Sequence, residues 1–263
     1  ADDFNCFGSW LEGHEYNLFL YSRLIKGLGG VNYEKINVPL KYEKNRVKVK
    51  PKEQNALIKA IEYLSKMVPD SLNKIVFITS YIKPQDLFRL QASLGQLPYF
   101  CINEAVKLKP VDVSRSMRNQ IKIQAGKNQF ESILPDWVSQ QIPKVYVEGY
   151  STTARMARKV YPKKPRVIFT ANALFGNEGF KMWAGEKVEK GVKWVGTQHG
   201  GAHGMSLWSA SETHEIKVAD RYFTWGWKNS DDQRIVPLAS ARLSWGKVKL
   251  KTIHQEEYYG QVS

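Results

Sequence analysis

Arg166-Val167-Ile168-Phe169-Thr170, the turn Ala171 to Asn177, the run Glu178 to Lys190, then Gly191 and Val192-Lys193-Trp194-Val195-Gly196 form the stretch that decides the fold. The two outer runs are short, apolar and rich in β-branched and aromatic residues, the pattern of buried strands. Between them Phe180, Trp183, Ala184 and Val188 recur at three- and four-residue spacing as an apolar stripe, and Glu186 and Lys190 pair four residues apart. Gly191 stands where a left-handed residue ends a helix. Strand, helix and strand in about thirty residues predict a βαβ unit, and a helical crossover joins parallel strands.

Outward from this unit the apolar period keeps switching between two and about 3.6. Towards the amino terminus, Leu57, Ala60, Ile61, Leu64 and Met67 share a helical face that ends before Pro69-Asp70, and Lys74 to Thr79 reads as a buried strand. Pro84 opens a helix with Leu87, Leu90 and Leu94 inward, followed by a strand from Tyr99 to Ile102. Val111 to Gly126 is polar and without period, which predicts a connection or an incomplete element and a domain boundary. Gln129 to Gln141 has a helical pattern that Pro135 should break or kink. Tyr150 to Val160 is a second helix, with Arg155, Arg158 and Lys159 on one face. Strands at Tyr222 to Trp225 and Arg234 to Leu238 continue the sheet or begin another, and Lys247 to Ser263 shows no period. The expected architecture is α/β with Rossmann-like parallel sheets, in two domains, 1–125 and 126–263.

Composition limits the function classes. The chain has 263 residues, 43% hydrophobic and 12% aromatic, enough for a packed core and unlike a disordered segment. Its apolar runs are far shorter than the roughly 20 residues of a membrane span, and the start at Ala1-Asp2-Asp3 has neither the basic nor the apolar region of a secretory signal. Cys6 and Cys101 have no metal or redox spacing, which suits a reducing cytoplasm. A net charge of +14 favours anionic partners. Lys41, Lys44, Arg46, Lys48, Lys50 and Lys52 form one basic stretch; Arg155, Arg158, Lys159, Lys163, Lys164 and Arg166 form a second. Both read either as solvated faces or as contacts for nucleotide phosphate, a lipid-linked glycan or the anionic face of the inner membrane. Nucleic acid is not expected, because no aromatic-interleaved or groove-reading pattern accompanies the charge.

The chemistry is expected in Thr197-Gln198-His199-Gly200-Gly201-Ala202-His203-Gly204, directly after the strand ending at Gly196. Ligands of open α/β sheets bind beyond the carboxyl ends of the strands. Glycines there let a backbone approach a phosphate, His199 adds a cationic or proton-bearing nitrogen, and Gln198 adds a neutral hydrogen-bonding pair. Three readings fit this run: a glycine-rich turn with a structural histidine, a phosphate or sugar site, and a metal site. The metal site would use His199 and His203 with His214 or Glu215, but the glycines oppose the helical turn that would align the two histidines. The phosphate or sugar reading is preferred, with no resident metal and no cofactor.

Several segments also resemble a known family. They are Gln141 to Tyr150, Ile168 to Asn172, Phe180 to Ala184, the Gln198-His199-Gly200-Gly201 loop, His214-Glu215, and Asp220 to Trp227. Over residues 141–227 the chain resembles bacterial surface-carbohydrate transferases of O-antigen biosynthesis, distantly related to retaining β-Kdo transferases of GT-B fold. The resemblance implies a transferase, which the cysteine usage would place in the cytoplasm and the basic stretches at the inner-membrane surface. Its donor would be a nucleotide sugar such as CMP-activated Kdo, and its acceptor a glycan or lipid-linked glycan.

The resemblance and the loop together suggest tasks for individual residues. Gln198, Gly200, Gly201, His203, Gly204, Asn172 and Lys181 would bind the donor, His214 and Glu215 would either orient the donor's hydroxyls or merely cap an element, and His199, Glu178 and Glu148 would be catalytic. The chain departs from the family pattern in two places. A second Rossmann-like half is expected after Trp227, where 36 residues remain, so the carboxyl-terminal half looks incomplete. Retention by double displacement requires a carboxylate at the anomeric carbon, yet the loop after Thr170 carries Asn172 and Asn177, with Glu178 the first acid. Glu178 reads as nucleophile or as a dipole-favoured first-turn residue, and Glu148 as acid/base or as a hydrogen-bonded turn carboxylate. Trp225 and Trp227 favour packing over stacking on a ligand. Two other classes fit as well: a non-catalytic glycan- or nucleotide-binding scaffold and a metal-dependent hydrolase.

Overall fold

The computed structural model describes residues 14–28, 74–99, 111–229 and 231–241, with isolated positions between them. The helix expected over Leu57 to Met67, the strand from Tyr99 to Ile102, the basic stretch at 41–52 and the tail from 247 lie wholly or mostly outside these residues.

Five strands form one sheet: β1 (Ile75–Ile78), β2 (Val167–Thr170), β3 (Lys193–Thr197), β4 (Arg221–Thr224) and β5 (Ile235–Pro237). They lie in the order β1-β2-β3-β4-β5 and every neighbouring pair is parallel. Two helices alternate with three of the strands, α6 (Glu178–Val188) between β2 and β3 and α7 (Ala210–Val218) between β3 and β4. The remaining helices are α1 (His14–Leu28), α2 (Pro84–Ser93), α3 (Arg115–Arg118), α4 (Gln129–Gln141) and α5 (Tyr150–Val160). The architecture is Rossmann-like α/β, and the run from Tyr222 continues the sheet through β4 and β5. Strand order among the described residues never reverses.

Burial follows the apolar pattern of the strands. Val76, Ile78, Ile168, Trp194 and Tyr222 are buried, as expected of a parallel sheet covered on both faces. In α6 the stripe holds at Phe180, Trp183 and Ala184, whereas Val188 in the last turn is exposed. Trp183 stacks on Tyr161 and donates its indole N–H to the Pro162 carbonyl at 3.0 Å. Gly191 ends the helix at φ +86°, with its N–H on the Val188 carbonyl.

The chain divides into two compact units, each discontinuous in sequence. The sheet and α7 belong to the unit made of Asn55–Glu104, Val160–Phe175 and Trp183–Ser263. The other unit takes Ala1–Gln54, Ala105–Lys159 and Gly176–Met182, and so contains α1, α3 and α4.

In that helical unit α4 runs unbroken through Pro135. A proline cannot donate to the carbonyl four residues back, and here the Glu131 carbonyl accepts from the Gly126 N–H instead, at 3.5 Å. A Cβ at position 126 would overlap the Glu131 side chain, so this return of the chain requires glycine. The polar stretch after Val111 is also organised. Ser114 caps α3, and Arg118 within it is 7% exposed. Arg118 Nη1 donates to the carbonyls of Ser139, Gln140 and Ile142 at 3.0–3.2 Å, closing the carboxyl end of α4.

Candidate functional site

In the sheet unit, Gln198 follows β3 and shapes the glycine loop. Its backbone N–H donates to the Phe223 carbonyl at 2.8 Å. The side-chain oxygen accepts from the Trp225 N–H at 2.8 Å and from the Trp227 indole at 2.9 Å. The side-chain amide donates to the carbonyls of Gly200 at 2.8 Å and His203 at 3.3 Å. An amide has two acceptor and two donor positions, and all four are used inside the protein. Gln198 thus holds the shape of the glycine loop. Trp227 packs in the same manner: at Gly204, whose φ is +76°, a Cβ would lie 2.5 Å from the Trp227 indole nitrogen. Gly204 is accounted for by that approach, and its N–H donates to Glu212 at 2.7 Å.

Gly200 and Gly201 differ from Gly204. Among the described residues their N–H groups have no hydrogen-bond partner, and a Cβ at Gly201 would meet nothing within 4 Å. The backbone here is open to a ligand.

Behind the loop lies a polar cluster centred on Glu215, which α7 buries to 3% exposure. Ser209 caps that helix by accepting from the Glu212 N–H. One oxygen of Glu215 lies 2.9 Å from His199 Nε2, and the other accepts from the Tyr222 hydroxyl at 2.7 Å. Tyr222 reaches it because β4 places the tyrosine opposite Gly196, where a Cβ would come within 2.8 Å of its ring. Burial first, then the facing carboxylate, push the Tyr222 hydroxyl far above its ordinary range, so it stays a donor.

His203, 6% exposed, stands edge-on to His199 with ring centroids 4.7 Å apart. Its Nδ1 lies 3.3 Å from the Gly200 carbonyl and its Nε2 lies 3.6 Å from Glu215. A nitrogen of each histidine and a Glu215 oxygen all fall within 4.8 Å of one another. No helical spacing was needed for this, since the turn itself brings the two rings together. His214 is exposed on α7 and takes no part in the cluster. Phe175, which the sequence reading passed over, tilts against His199 at 5.5 Å.

The neighbouring strand ends add polar groups. After β1, Thr79 and Tyr81 hold φ values of +48° and +58°, uncommon for side-chain-bearing residues. The Tyr81 hydroxyl accepts from the Asn172 amide at 2.5 Å. Asn172 thus lies at a carboxyl strand end as expected, while Tyr81 carried no distinguishing signal in the sequence.

The helical unit holds the two acid candidates. Asn177 caps α6 by accepting from the Phe180 N–H at 2.9 Å. Glu178 then enters the first turn buried, with its side chain 5% exposed, which sets aside the dipole-favoured surface reading. Its oxygens accept from the Tyr146 hydroxyl at 2.5 Å and from Lys181 Nζ at 2.9 Å, and Lys181 also donates to the Tyr146 oxygen at 3.2 Å. Val145, Ala154 and Met182 pack as an apolar cluster, with the Tyr146 side chain against it.

Glu148 is held differently. Arg118 grips it with two bonds, 2.7 and 2.9 Å, and the Ser114 N–H adds a third at 2.9 Å. Hydrogen bonding from Arg118, seconded by the Ser114 N–H, holds its carboxyl at about 2, against an ordinary 4.5. A carboxylate so stabilised is a poor proton acceptor, so the geometry favours the hydrogen-bonded turn carboxylate over the acid/base role.

Among the described residues no helix is long and apolar enough to cross a membrane. No curated protein and no solved structure matches the chain. The family model described as LIC12162 family transferase matches residues 1–258. With that match running along nearly the whole sequence, and a Rossmann-like sheet bearing an open glycine loop, the chain belongs to the LIC12162 family of transferases.

Proposed function

We propose that this transferase is a glycosyltransferase of GT-B type. It would move a sugar, a CMP-activated ulosonic acid such as Kdo, from a nucleotide donor to a surface-polysaccharide or lipopolysaccharide acceptor. The observation that carries the reading is the open backbone at Gly200 and Gly201, beside an anchored His199 at the carboxyl end of a parallel strand. Consecutive unpaired N–H groups form a natural seat for a phosphate. With Nε2 of His199 engaged by Glu215, Nδ1 is the ring nitrogen left to a ligand.

In this reading the donor phosphate rests on the two glycine N–H groups. His199 offsets the charge that grows as the nucleoside monophosphate departs, a form of preorganised electrostatic stabilisation. Lys181 and the buried Glu178 keep their proposed parts as charge partner and carboxylate. Tyr146 and Lys181 hold both Glu178 oxygens and so fix the carboxylate's orientation; it serves as nucleophile or as base for the acceptor hydroxyl once the Tyr146 bond opens. Contact of the basic residues Arg155, Lys159, Lys163 and Lys164 with an anionic membrane face belongs to the same proposal.

Thermal unfolding in the presence of CMP, UDP, GDP and their sugar derivatives tests it. A ligand at 100 times its dissociation constant stabilises the native state by about 2.7 kcal/mol, a clear rise in melting temperature. His199→Ala should lower any transfer rate by about 10²-fold or more while the fold persists. A folded wild-type protein that no nucleotide stabilises would overturn the reading and favour a glycan-binding scaffold.

A further inference from the structure

Glu215 and the two histidines raise a problem of charge and lone pairs. A carbonyl oxygen cannot donate, so the 3.3 Å contact to Gly200 places a proton on His203 Nδ1. In the neutral ring Nε2 then carries a lone pair. That atom is buried with no hydrogen-bond partner, and it faces a Glu215 oxygen 3.6 Å away. Two buried acceptors aimed at each other are unfavourable unless something positive lies between them.

A second proton on His203 would be one remedy. Charge-assisted N–H···O bonds close to about 2.7–2.9 Å, as His199 and Glu215 do at 2.9 Å. At 3.6 Å the His203 pair has not closed in this way. A metal ion holds its donors further apart: with bonds of about 2.0–2.2 Å in a tetrahedral arrangement, neighbouring ligand atoms lie roughly 3.4 Å from each other. The distance from His203 Nε2 to Oε2 of Glu215, the oxygen that also accepts from Tyr222, matches that spacing, while His199 meets the other oxygen, Oε1.

We infer that His199, His203 and Glu215 form a binding site for a divalent transition-metal ion of the zinc class. Two imidazoles and one carboxylate are a donor set suited to zinc and its first-row neighbours and unsuited to magnesium. The surrounding bonds are those that orient metal ligands: His203 Nδ1–H on a backbone carbonyl, and the Tyr222 hydroxyl on Glu215. Three protein donors leave a coordination position for water or a ligand oxygen. The ion would take the place of the proton between His199 and Glu215, opening that pair by about half an ångström to the spacing above. This inference concerns metal binding and stands apart from the nucleotide-sugar reading.

The test uses the whole chain stripped by a chelator and titrated with cobalt(II), zinc(II) and magnesium(II), followed by calorimetry and visible absorption. The expected result is one equivalent of cobalt(II) with the intense d–d bands of a low-coordinate site, displaced by zinc and not by magnesium. His203→Ala and Glu215→Gln should abolish the bands. Tyr222→Phe, which keeps all three donors, should weaken binding by about 10-fold or more. If His203→Ala does not fold by circular dichroism, His199→Ala gives the same readout at a less buried position, 20% exposed. Absence of saturable binding to the folded wild-type chain, or binding that survives loss of a histidine, would overturn the inference.

Discussion

Replacing Glu148 by glutamine removes a charge held by three donors at a nearly buried position, 5% exposed. Its carboxyl is held at about 2 in the folded protein against an ordinary 4.5. Each unit of difference is worth about 1.4 kcal/mol between protonation states, so ionised Glu148 contributes about 3 kcal/mol to stability. The folded value lies below the unfolded one. The contribution is therefore complete above about 4.5 and is lost as the pH falls through about 2, with about 2 kcal/mol gone by pH 3. Urea unfolding followed at closely spaced pH values between 7 and 3 gives the profile. The wild-type protein should lose stability across this window more steeply than Glu148→Gln, whose curve lacks this one component. Arg118→Met should be costlier than Glu148→Gln at neutral pH, about 3–5 kcal/mol, because it strands a buried carboxylate and uncaps α4. Parallel pH profiles for wild type and Glu148→Gln would refute the assignment and return Glu148 to the acid/base candidates.

Two further outcomes follow from the geometry. Gln198→Ala deletes four hydrogen bonds and strands the Trp227 indole and two loop carbonyls, so it should cost about 2–4 kcal/mol in chemical unfolding and remove any nucleotide-induced thermal shift. A variant with unchanged stability would show that the loop holds its shape without the amide. Pro135→Ala should raise stability by about 1 kcal/mol, less than the ~3 kcal/mol that an interior proline usually costs, because the Glu131 carbonyl already has a partner in Gly126; calorimetry showing a loss would contradict this.

The sheet was legible in the sequence where periodicity carried it. The βαβ unit around α6, its apolar stripe up to Ala184 and its end at Gly191 follow from local pattern, because burial there repeats with the period of the element. Pro135 misled in part: the rule for a lost helical bond is local, whereas the Gly126 N–H that substitutes for it comes from outside the helix. Arg118 was invisible for a related reason. A lone arginine in a polar stretch reads as surface until Glu148 and three carbonyls converge on it.

At the candidate site the glycine loop and His199 were legible as chemistry. The division of labour among the glycines was not, because Gly204 answers to Trp227 and Gly196 to Tyr222, both from a later strand region. Glu178 carried no mark of burial, since exposed helices also start with a glutamate, and Glu215 carried none because it sits in a polar run between the exposed His214 and the partly exposed Ile216. Helical spacing argues against bringing His199 and His203 together, but a turn sets their rings 4.7 Å apart without it.

The grip of Gln198 on Trp225 and Trp227 has an evolutionary corollary. Positions 198, 204 and 227 form a lock of amide, glycine and indole, in which altering one member leaves the other two mismatched. Drift at these sites should therefore proceed by paired replacements, and a single-site library across them would recover function only when a partner position is randomised with it.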